Sequence, residues 1–226
     1  MLSGNEIATR LGEVRDRIAH AAARSRRSRD AVRLVLASKT QGAAAVRAAH
    51  AAGARDFGEN YVQEAADKRA ELTELRDARW HLIGHLQSNK VALAIRTFDT
   101  IQTLDSARLA NTIARLRLSP PMPVLIEINL GEEVSKSGIR AREAAALIDA
   151  ARDKVEIIGL MTIPPHSDDP RRYFAELRML RDRLAASSGL ALSELSMGMT
   201  EDFEVAIEEG ATTVRVGRAV FGERPL

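Results

Sequence analysis

The stretch RLVLASKTQGAAAVRAAHAAGARDF, residues 33–57, decides the fold class of this chain. It begins with a short apolar run that suits a β-strand, continues into an alanine-rich segment that favours a helix, and ends in a second β-prone run. A strand, a helix and a strand in this order predict a βαβ unit with two parallel strands.

The same alternation recurs along the chain. Alanine-rich, helix-favouring segments separate most of eight β-prone runs, at Arg33–Ser38, Asp56–Phe57, His81–Ile83, Thr100–Thr103, Val124–Asn129, Glu156–Met161, Glu194–Met197 and Thr213–Val216. Eight βα units close naturally into a barrel, so the sequence predicts a single (β/α)8 TIM-type barrel domain over residues 1–226. An open doubly wound sheet is the alternative. It is disfavoured because the strands are short and even and no Gly-x-Gly-x-x-Gly motif follows the first one.

An additional helix is predicted before the first strand. Ile7, Leu11, Val14 and Ile18 are spaced four, three and four residues apart, which places them on one buried helical face. We expect this helix to lie outside the barrel or to cap its bottom.

The composition is that of an ordinary globular protein. Hydrophobic residues make up 45% of the chain, and the formal net charge is only +2, so a nucleic-acid partner is not implied. The densest basic cluster, residues 24–29, is interpreted as a solvated helix end or loop. The absence of cysteine excludes disulfides, thiolate metal sites and cysteine nucleophiles. No signal sequence or membrane-spanning apolar stretch is evident, so we expect a cytoplasmic protein without a membrane partner.

Lys39 directly follows the first apolar run, at the end of LVLASK. In barrels of this type the reactive residues lie at the C-terminal ends of the strands. Partial burial at that point disfavours the ammonium form, and a free amine is what Schiff-base chemistry requires. A lysine that simply leaves the strand into solvent fits the position equally well, so position alone leaves both interpretations open.

The loops after the seventh and eighth runs have the features of a phosphate site. They read SMGMT at residues 196–200 and RVGRA at residues 215–219. Barrels commonly bind phosphate at these two loops, where Gly198 and Gly217 permit close backbone approach to an oxyanion and Thr200 offers a hydroxyl. Thr200 is also expected to cap the helix that follows. The alternative is that the threonine only caps and the glycines only form turns. Together with the strand-end lysine, a phosphate site describes a ligand with a phosphate at one end and an aldehyde at the other.

Other strand ends are less specific. His81 is interpreted as a hydrogen-bonded core histidine or as a catalytic one, and Glu59 as a functional group or a salt-bridge partner. The segment GEEVSKSGIR, residues 131–140, resembles a mobile loop whose serines and lysine either contact anions or are ordinary loop residues.

Seven motifs in register identify a family. LVLASKT, DFGENYVQE, WHLIGHLQSNK, SKSGI, GLMTIP, LSMGMTEDFEVAI and VRVGRAVFG resemble the pyridoxal phosphate homeostasis protein family, also called the YggS or PROSC family. The resemblance extends from about Leu34 to Gly222. It implies the barrel fold of the N-terminal domain of alanine racemases and pyridoxal 5'-phosphate (PLP) as the cofactor.

The resemblance also assigns roles at the site. Lys39 is expected to hold PLP as a Schiff base. Thr200 and the backbone of Gly217 and Arg218 are expected to hold its phosphate. Arg215 matches the arginine that faces the pyridine nitrogen in the related racemases, where a cation discourages protonation of that nitrogen.

Asn60, in GENY, is a weaker candidate for contact with the edge of the ring. One difference from the racemases concerns catalysis. Racemases use a tyrosine from a second domain, whereas this sequence stops at Leu226 after the barrel, and neither Tyr61 nor Tyr173 is well placed by sequence to move a substrate proton. Little racemisation and a monomeric state are therefore expected.

Three functions are compatible with these residues. The first is a PLP-binding homeostasis protein that takes up the cofactor and buffers it or delivers it to apo-enzymes. The second is a PLP-dependent amino-acid enzyme, such as a racemase or lyase, in which Lys39 itself shuttles a proton. The third is a Schiff-base aldolase that acts on sugar phosphates without PLP; the SMGMT and RVGRAVFG motifs disfavour it. Whether residues 131–140 gate PLP release is left open by the sequence.

Overall fold

Eight parallel strands form a closed barrel in the computed structural model, which describes residues 2–133, 136–165 and 169–223. The strands are β1 (Arg33–Ala37), β2 (Asp56–Glu59), β3 (Arg79–Leu82), β4 (Thr100–Leu104), β5 (Pro123–Glu127), β6 (Glu156–Met161), β7 (Glu194–Ser196) and β8 (Thr213–Val216). Each strand pairs with the next in sequence, and β8 pairs with β1, so the closure that the repeat predicts is confirmed and the open sheet is wrong.

Helices surround the barrel. Over the described ranges they are α1 (Gly4–Arg24), α2 (Ala43–Ala51), α3 (Val62–Glu71), α4 (Val91–Thr97), α5 (Ala107–Ala114), α6 (Ala144–Ala151), α7 (Arg171–Ser188), α8 (Phe203–Glu208) and α9 (Arg218–Phe221). Short 3-10 turns lie at Arg29–Ala31, Ser88–Lys90 and Ala141–Glu143. All eight predicted runs coincide with strands, and the boundaries of β6 and β8 agree to the residue.

The predicted N-terminal helix is α1, and it lies in the outer layer. Ser3 caps it: the Ser3 Oγ accepts from the Glu6 N–H at 3.3 Å, and a Glu6 carboxylate oxygen accepts from the Ser3 N–H at 2.7 Å. Its apolar stripe, which includes Leu11 and Ile18, is buried against α2, α8 and α9. The basic cluster begins at Arg24, the last residue of α1, where Arg24 pairs with Glu208 of α8.

The interior of the barrel is partly polar. Branched aliphatic side chains usually fill such interiors in layers. Here, buried polar side chains from five different strands lie among them: Asp56, His81, Gln102, Ser196 and Arg215. Because all strands run in the same direction, their C-terminal ends form one mouth. Of these five residues, Arg215 lines the cavity described below.

Candidate cofactor-binding site

A cavity of about 1010 Å³ opens at the mouth of the barrel. The six residues that the sequence singles out for cofactor binding all line it: Lys39, Asn60, Thr200, Arg215, Gly217 and Arg218. They come from the ends of β1, β2, β7 and β8, which the chain separates widely and the closed sheet brings together. The volume suits a small ligand with room to spare.

Lys39 is half-buried and lies two residues beyond the end of β1. Its neighbour Ser38 is buried and held by two hydrogen bonds. The Ser38 Oγ donates to Glu59 Oε1 at 2.7 Å, and the Ser38 carbonyl oxygen accepts from Lys68 Nζ at 2.8 Å. On the other side, Thr40 has a left-handed backbone (φ 65°) and its N–H donates to Glu64 Oε1 at 2.7 Å. Both neighbours of Lys39 are therefore anchored to the β2–α3 unit.

Glu59 and Lys68 form the buried ion pair of that anchor. Lys68 Nζ lies 2.6 Å from Glu59 Oε1, and Glu59 is fully buried. Burial raises the pKa of Glu59, and the charge and hydrogen bond of Lys68 oppose that rise. Of the two interpretations of Glu59, the salt-bridge partner is the one that the structure shows.

Arg215 is the buried cation of the cavity, 3% exposed. Its Nη1 donates to Ser196 Oγ at 2.6 Å and its Nη2 donates to the Thr162 carbonyl oxygen at 2.8 Å. Burial lowers the pKa of Arg215 to about 10, while the charges of Glu127 and Asp202 favour its ionised form. The guanidinium is thus a fixed positive charge at neutral pH.

Thr200, Gly217 and Arg218, which follow β7 and β8, form another part of the cavity wall. An ideal Cβ at Gly217 would lie only 3.0 Å from the carbonyl oxygen of Ala37, so glycine lets the end of β8 pack closely on the end of β1. Arg218 is exposed, and its Nη2 lies 2.5 Å from Glu201 Oε1. This wall combines a hydroxyl, a tightly packed backbone segment and a cation, which are the groups that bind phosphate oxygens.

The predicted capping role of Thr200 is wrong. Helix α8 begins at Phe203, and its N-cap is Asp202, whose Oδ1 accepts from the Met199 N–H at 2.7 Å. The turn between β7 and α8 depends on Gly198, because its φ is 92° and a Cβ there would lie 2.5 Å from the Cβ of Ala206. Thr200 is consequently left on the cavity wall rather than engaged in the helix start.

The 131–140 loop contributes Lys136 to the cavity, which was not among the six predicted residues. Lys136 Nζ donates to Glu133 Oε1 at 2.9 Å and to the Pro164 carbonyl oxygen at 3.0 Å. Ser137 does not line the cavity, and Ser135 lies outside the described residues. Lysine is an ordinary residue in exposed loops, so the sequence alone does not distinguish Lys136 as a cavity residue.

Glu127, at the end of β5, is a second residue that the sequence did not single out. It is 6% exposed, and its Oε2 has no hydrogen-bond partner among the described residues. Burial, helped by the negative charge of Asp105, raises the pKa of Glu127 to about 7, and the positive charge of Arg215 opposes this rise.

The remaining candidates lie elsewhere. His81 is buried and hydrogen-bonded within the barrel, which confirms its interpretation as a core histidine. Tyr61 is 64% exposed at the start of α3, and the hydroxyl of Tyr173 accepts from Arg172 on α7. Neither tyrosine lines the cavity.

Comparison with known proteins identifies the family. The model of the alanine racemase N-terminal domain matches residues 10–225. The pyridoxal phosphate homeostasis protein of Escherichia coli is 42% identical over 232 residues, which cover 97% of each chain. This chain belongs to the pyridoxal phosphate homeostasis protein family. The expected family and barrel fold are therefore confirmed.

Solved structures of relatives agree with this assignment. PipY of Synechococcus elongatus, in a structure with PLP bound, is 37% identical, covers 96% of this chain and 100% of its own, and superposes with a TM-score of 0.83. The alanine racemase of Corynebacterium glutamicum is 17% identical and covers 98% of this chain and 62% of its own, with a TM-score of 0.73. The latter shows that the barrel is shared.

Within the described ranges, no helix is both long enough and apolar enough to cross a membrane. The same ranges contain no group of three or more His, Asp or Glu side chains arranged to hold a metal ion.

Proposed function

We propose that this protein binds PLP as a Schiff base on Lys39 and takes part in PLP homeostasis by buffering the cofactor or delivering it to apo-enzymes. One observation carries the proposal: a single cavity collects a strand-end lysine, a buried arginine and a wall of phosphate-binding groups. The PLP-bound structure of PipY and the family membership support it.

The groups on the cavity walls match the chemistry of PLP. When bound, PLP supplies an aldehyde that condenses with amines and a pyridine ring that withdraws electrons. Lys39 offers the amine, and Thr200, Gly217 and Arg218 form the wall that suits the phosphate. Arg215 would face the ring nitrogen, where a fixed cation disfavours protonation and so weakens electron withdrawal.

Asn60 completes this assignment at the ring edge. It is half-buried and lines the cavity directly after β2, beside the anchor of Glu59. Its backbone packs so tightly on Gly84 that a Cβ there would lie 2.4 Å from the Asn60 carbonyl oxygen. The tight packing holds the Asn60 backbone in place, which preorganises its side chain for contact with a ligand.

A homeostasis role is favoured over amino-acid chemistry because Tyr61 and Tyr173 both lie away from the cavity. A racemase needs a proton donor on the face of the substrate opposite the lysine. We therefore propose a carrier of PLP with little reaction of its own. Residues 1–226 as one PLP-binding domain, the monomeric state and the cytoplasmic location stay predictions.

The test begins with an absorbance spectrum of the purified protein mixed with PLP. Wild type should develop the yellow Schiff-base band, and Lys39→Ala should abolish it. Lys90→Ala is the matched control, because Lys90 is an exposed lysine outside the cavity, and it should behave as wild type. A wild-type protein that takes up no PLP would refute the proposal.

A second experiment separates the carrier from an enzyme. The holo-protein is incubated with single amino acids in deuterated water, and α-hydrogen exchange is followed. A carrier should show no exchange and should transfer PLP to an apo-enzyme, whose recovered activity reports the transfer. Rapid exchange with any amino acid would favour the enzyme instead.

A further inference from the structure

A chain of buried side chains links Arg215 to the far end of the barrel. Ser196 Oγ, which accepts from Arg215, lies 2.6 Å from Gln102 Oε1, across the interior from β7 to β4. Gln102 Nε2 lies 3.3 Å from His81 Nδ1, and His81 Nε2 lies 2.9 Å from Asp56 Oδ1 at the start of β2. All five residues are at most 5% exposed.

The hydrogen bonds of this chain run in one direction, from a donor at one end to an acceptor at the other. A guanidinium only donates, and an ionised carboxylate only accepts. Burial favours the neutral form of Asp56, but hydrogen bonds from His81 and Arg79 hold its pKa below the ordinary value, so Asp56 is anionic. The Ser196 hydroxyl donates to Gln102 Oε1, so the Gln102 amide nitrogen faces His81 Nδ1. In this arrangement Gln102 donates to His81 Nδ1, and His81 Nε2 faces the Asp56 carboxylate.

We propose that Gln102 is a positioning residue for the cofactor site, acting through Ser196 to hold Arg215, with His81 fixing the orientation of the Gln102 amide. The proposal rests on the proposed function, because Arg215 acts on the cofactor only if PLP occupies this cavity. Gln102 itself does not line the cavity.

Gln102 matters because it sets the direction in which the Ser196 hydroxyl proton points. Arg215 has a second anchor, the Thr162 carbonyl oxygen, which constrains Nη2 but leaves the plane of the guanidinium free to turn. Ser196 Oγ can accept from Arg215 Nη1 only while the Ser196 hydroxyl proton points away from Arg215. Gln102 Oε1 accepts that proton and so holds it in this direction. The carboxylates of Glu127 and Asp202 act on Arg215 through charge and do not replace this alignment. Hydrogen bonds in such buried chains polarise and strengthen one another.

The test compares Gln102→Met, which keeps the side-chain volume and removes the acceptor, with Gln102→Glu, which keeps an acceptor towards Ser196. Two quantities are measured: the Kd for PLP by absorbance titration, and the pH midpoint of the Schiff-base band of the holo-protein. Gln102→Met and Ser196→Ala should each weaken binding roughly tenfold, the effect of one lost charge-assisted hydrogen bond. Each should also move the midpoint by about half a pH unit or more.

Two further comparisons distinguish positioning from general destabilisation. Gln102→Glu should recover most of the affinity lost in Gln102→Met. The double variant Gln102→Met/Ser196→Ala should bind no worse than Ser196→Ala alone, because both changes break the same chain. Thr97→Val is the control: it removes an equally buried hydroxyl on α4, outside the barrel interior, and should leave Kd and midpoint unchanged.

The inference is overturned if Gln102→Met has the Kd and the midpoint of wild type, even when the thermal stability of its apo-protein is lower. If Gln102→Met does not fold, Ser196→Ala decides alone by the same two readouts. The proposed function fails differently, through a wild type that forms no Lys39-dependent band, and its failure also removes the inference.

Discussion

The Glu127→Gln substitution should stabilise the apo-protein at alkaline pH and leave it unchanged in acid. Glu127 is buried at the end of β5 with an unpartnered Oε2, and burial raises its pKa from 4.5 to about 7. A carboxyl whose pKa is higher in the folded chain favours folding while it is protonated. That contribution is complete below pH 4.5 and is lost as the pH rises through 7.

The size of the effect follows from the pKa. A rise from 4.5 to about 7 corresponds to about 3 kcal/mol of the free energy of unfolding, at about 1.36 kcal/mol per pH unit. Glutamine has nearly the shape of the protonated acid and carries no charge to bury. Glu127→Gln should therefore match wild type near pH 4.5 and exceed it by up to about 3 kcal/mol at pH 8. For a chain of this size, the melting temperature at pH 8 should rise by about 6–12 °C.

Urea denaturation of both proteins at a series of pH values from 4.5 to 8 measures this difference. Glu156→Gln, at the exposed first position of β6, is the matched control and should show no pH-dependent gain. Comparing each variant with wild type at the same pH cancels the titration of all other groups. Parallel pH profiles for wild type and Glu127→Gln, or a less stable variant at pH 8, would refute the assignment of Glu127 as a buried, nearly neutral carboxyl.

Three other predictions follow from the geometry. Thr200→Val should weaken PLP binding about tenfold but leave the affinity for pyridoxal, which lacks the phosphate, unchanged in the same absorbance titration. Lys68→Met should cost about 3–5 kcal/mol in urea denaturation because it leaves Glu59 buried without its cation, and adding Glu59→Gln should recover most of that loss. Gly159→Ala should lower the melting temperature sharply, because the added Cβ would lie 1.9 Å from a carbonyl oxygen of β7. Gly12→Ala in α1 is the control and should raise the melting temperature slightly, because no atom lies within 4 Å of the added Cβ.

Patterns that depend on neighbours in sequence were predictable. The strand–helix alternation gave all eight strands, because each apolar run is bounded by polar or glycine-containing turns. Parallel strands place their C-terminal ends together, so the position of Lys39 after β1 and of Arg218 after β8 already implied that both would reach one mouth. That reasoning needs only strand order and direction.

Contacts between distant residues were not predictable in the same way. Ser196 and Gln102 are 94 residues apart, and nothing in SMGMT or TIQTL indicates that their side chains meet across the barrel. The capping error at Thr200 has a local cause: the chain makes an additional turn at Gly198 before α8, and Asp202 takes the N-cap. Glu127 was missed because an acid at a strand end is unremarkable until its burial is known.

Two arginines of the cavity differ in burial and in their partners, and the difference bears on the proposed holding and release of PLP. Arg215 is buried and aligned by two hydrogen bonds, so its side chain is preorganised and costs little to order when a ligand binds. Arg218 is exposed and already paired with Glu201, which competes with an incoming phosphate for the guanidinium. If phosphate binds beside Arg218 as proposed, we expect Arg218 to add less affinity than a buried arginine would, and we expect salt to screen its contribution. Under the proposed function we therefore expect the strength of retention to depend mainly on Lys39, because a covalent bond between a lysine and an aldehyde is strong but reversible.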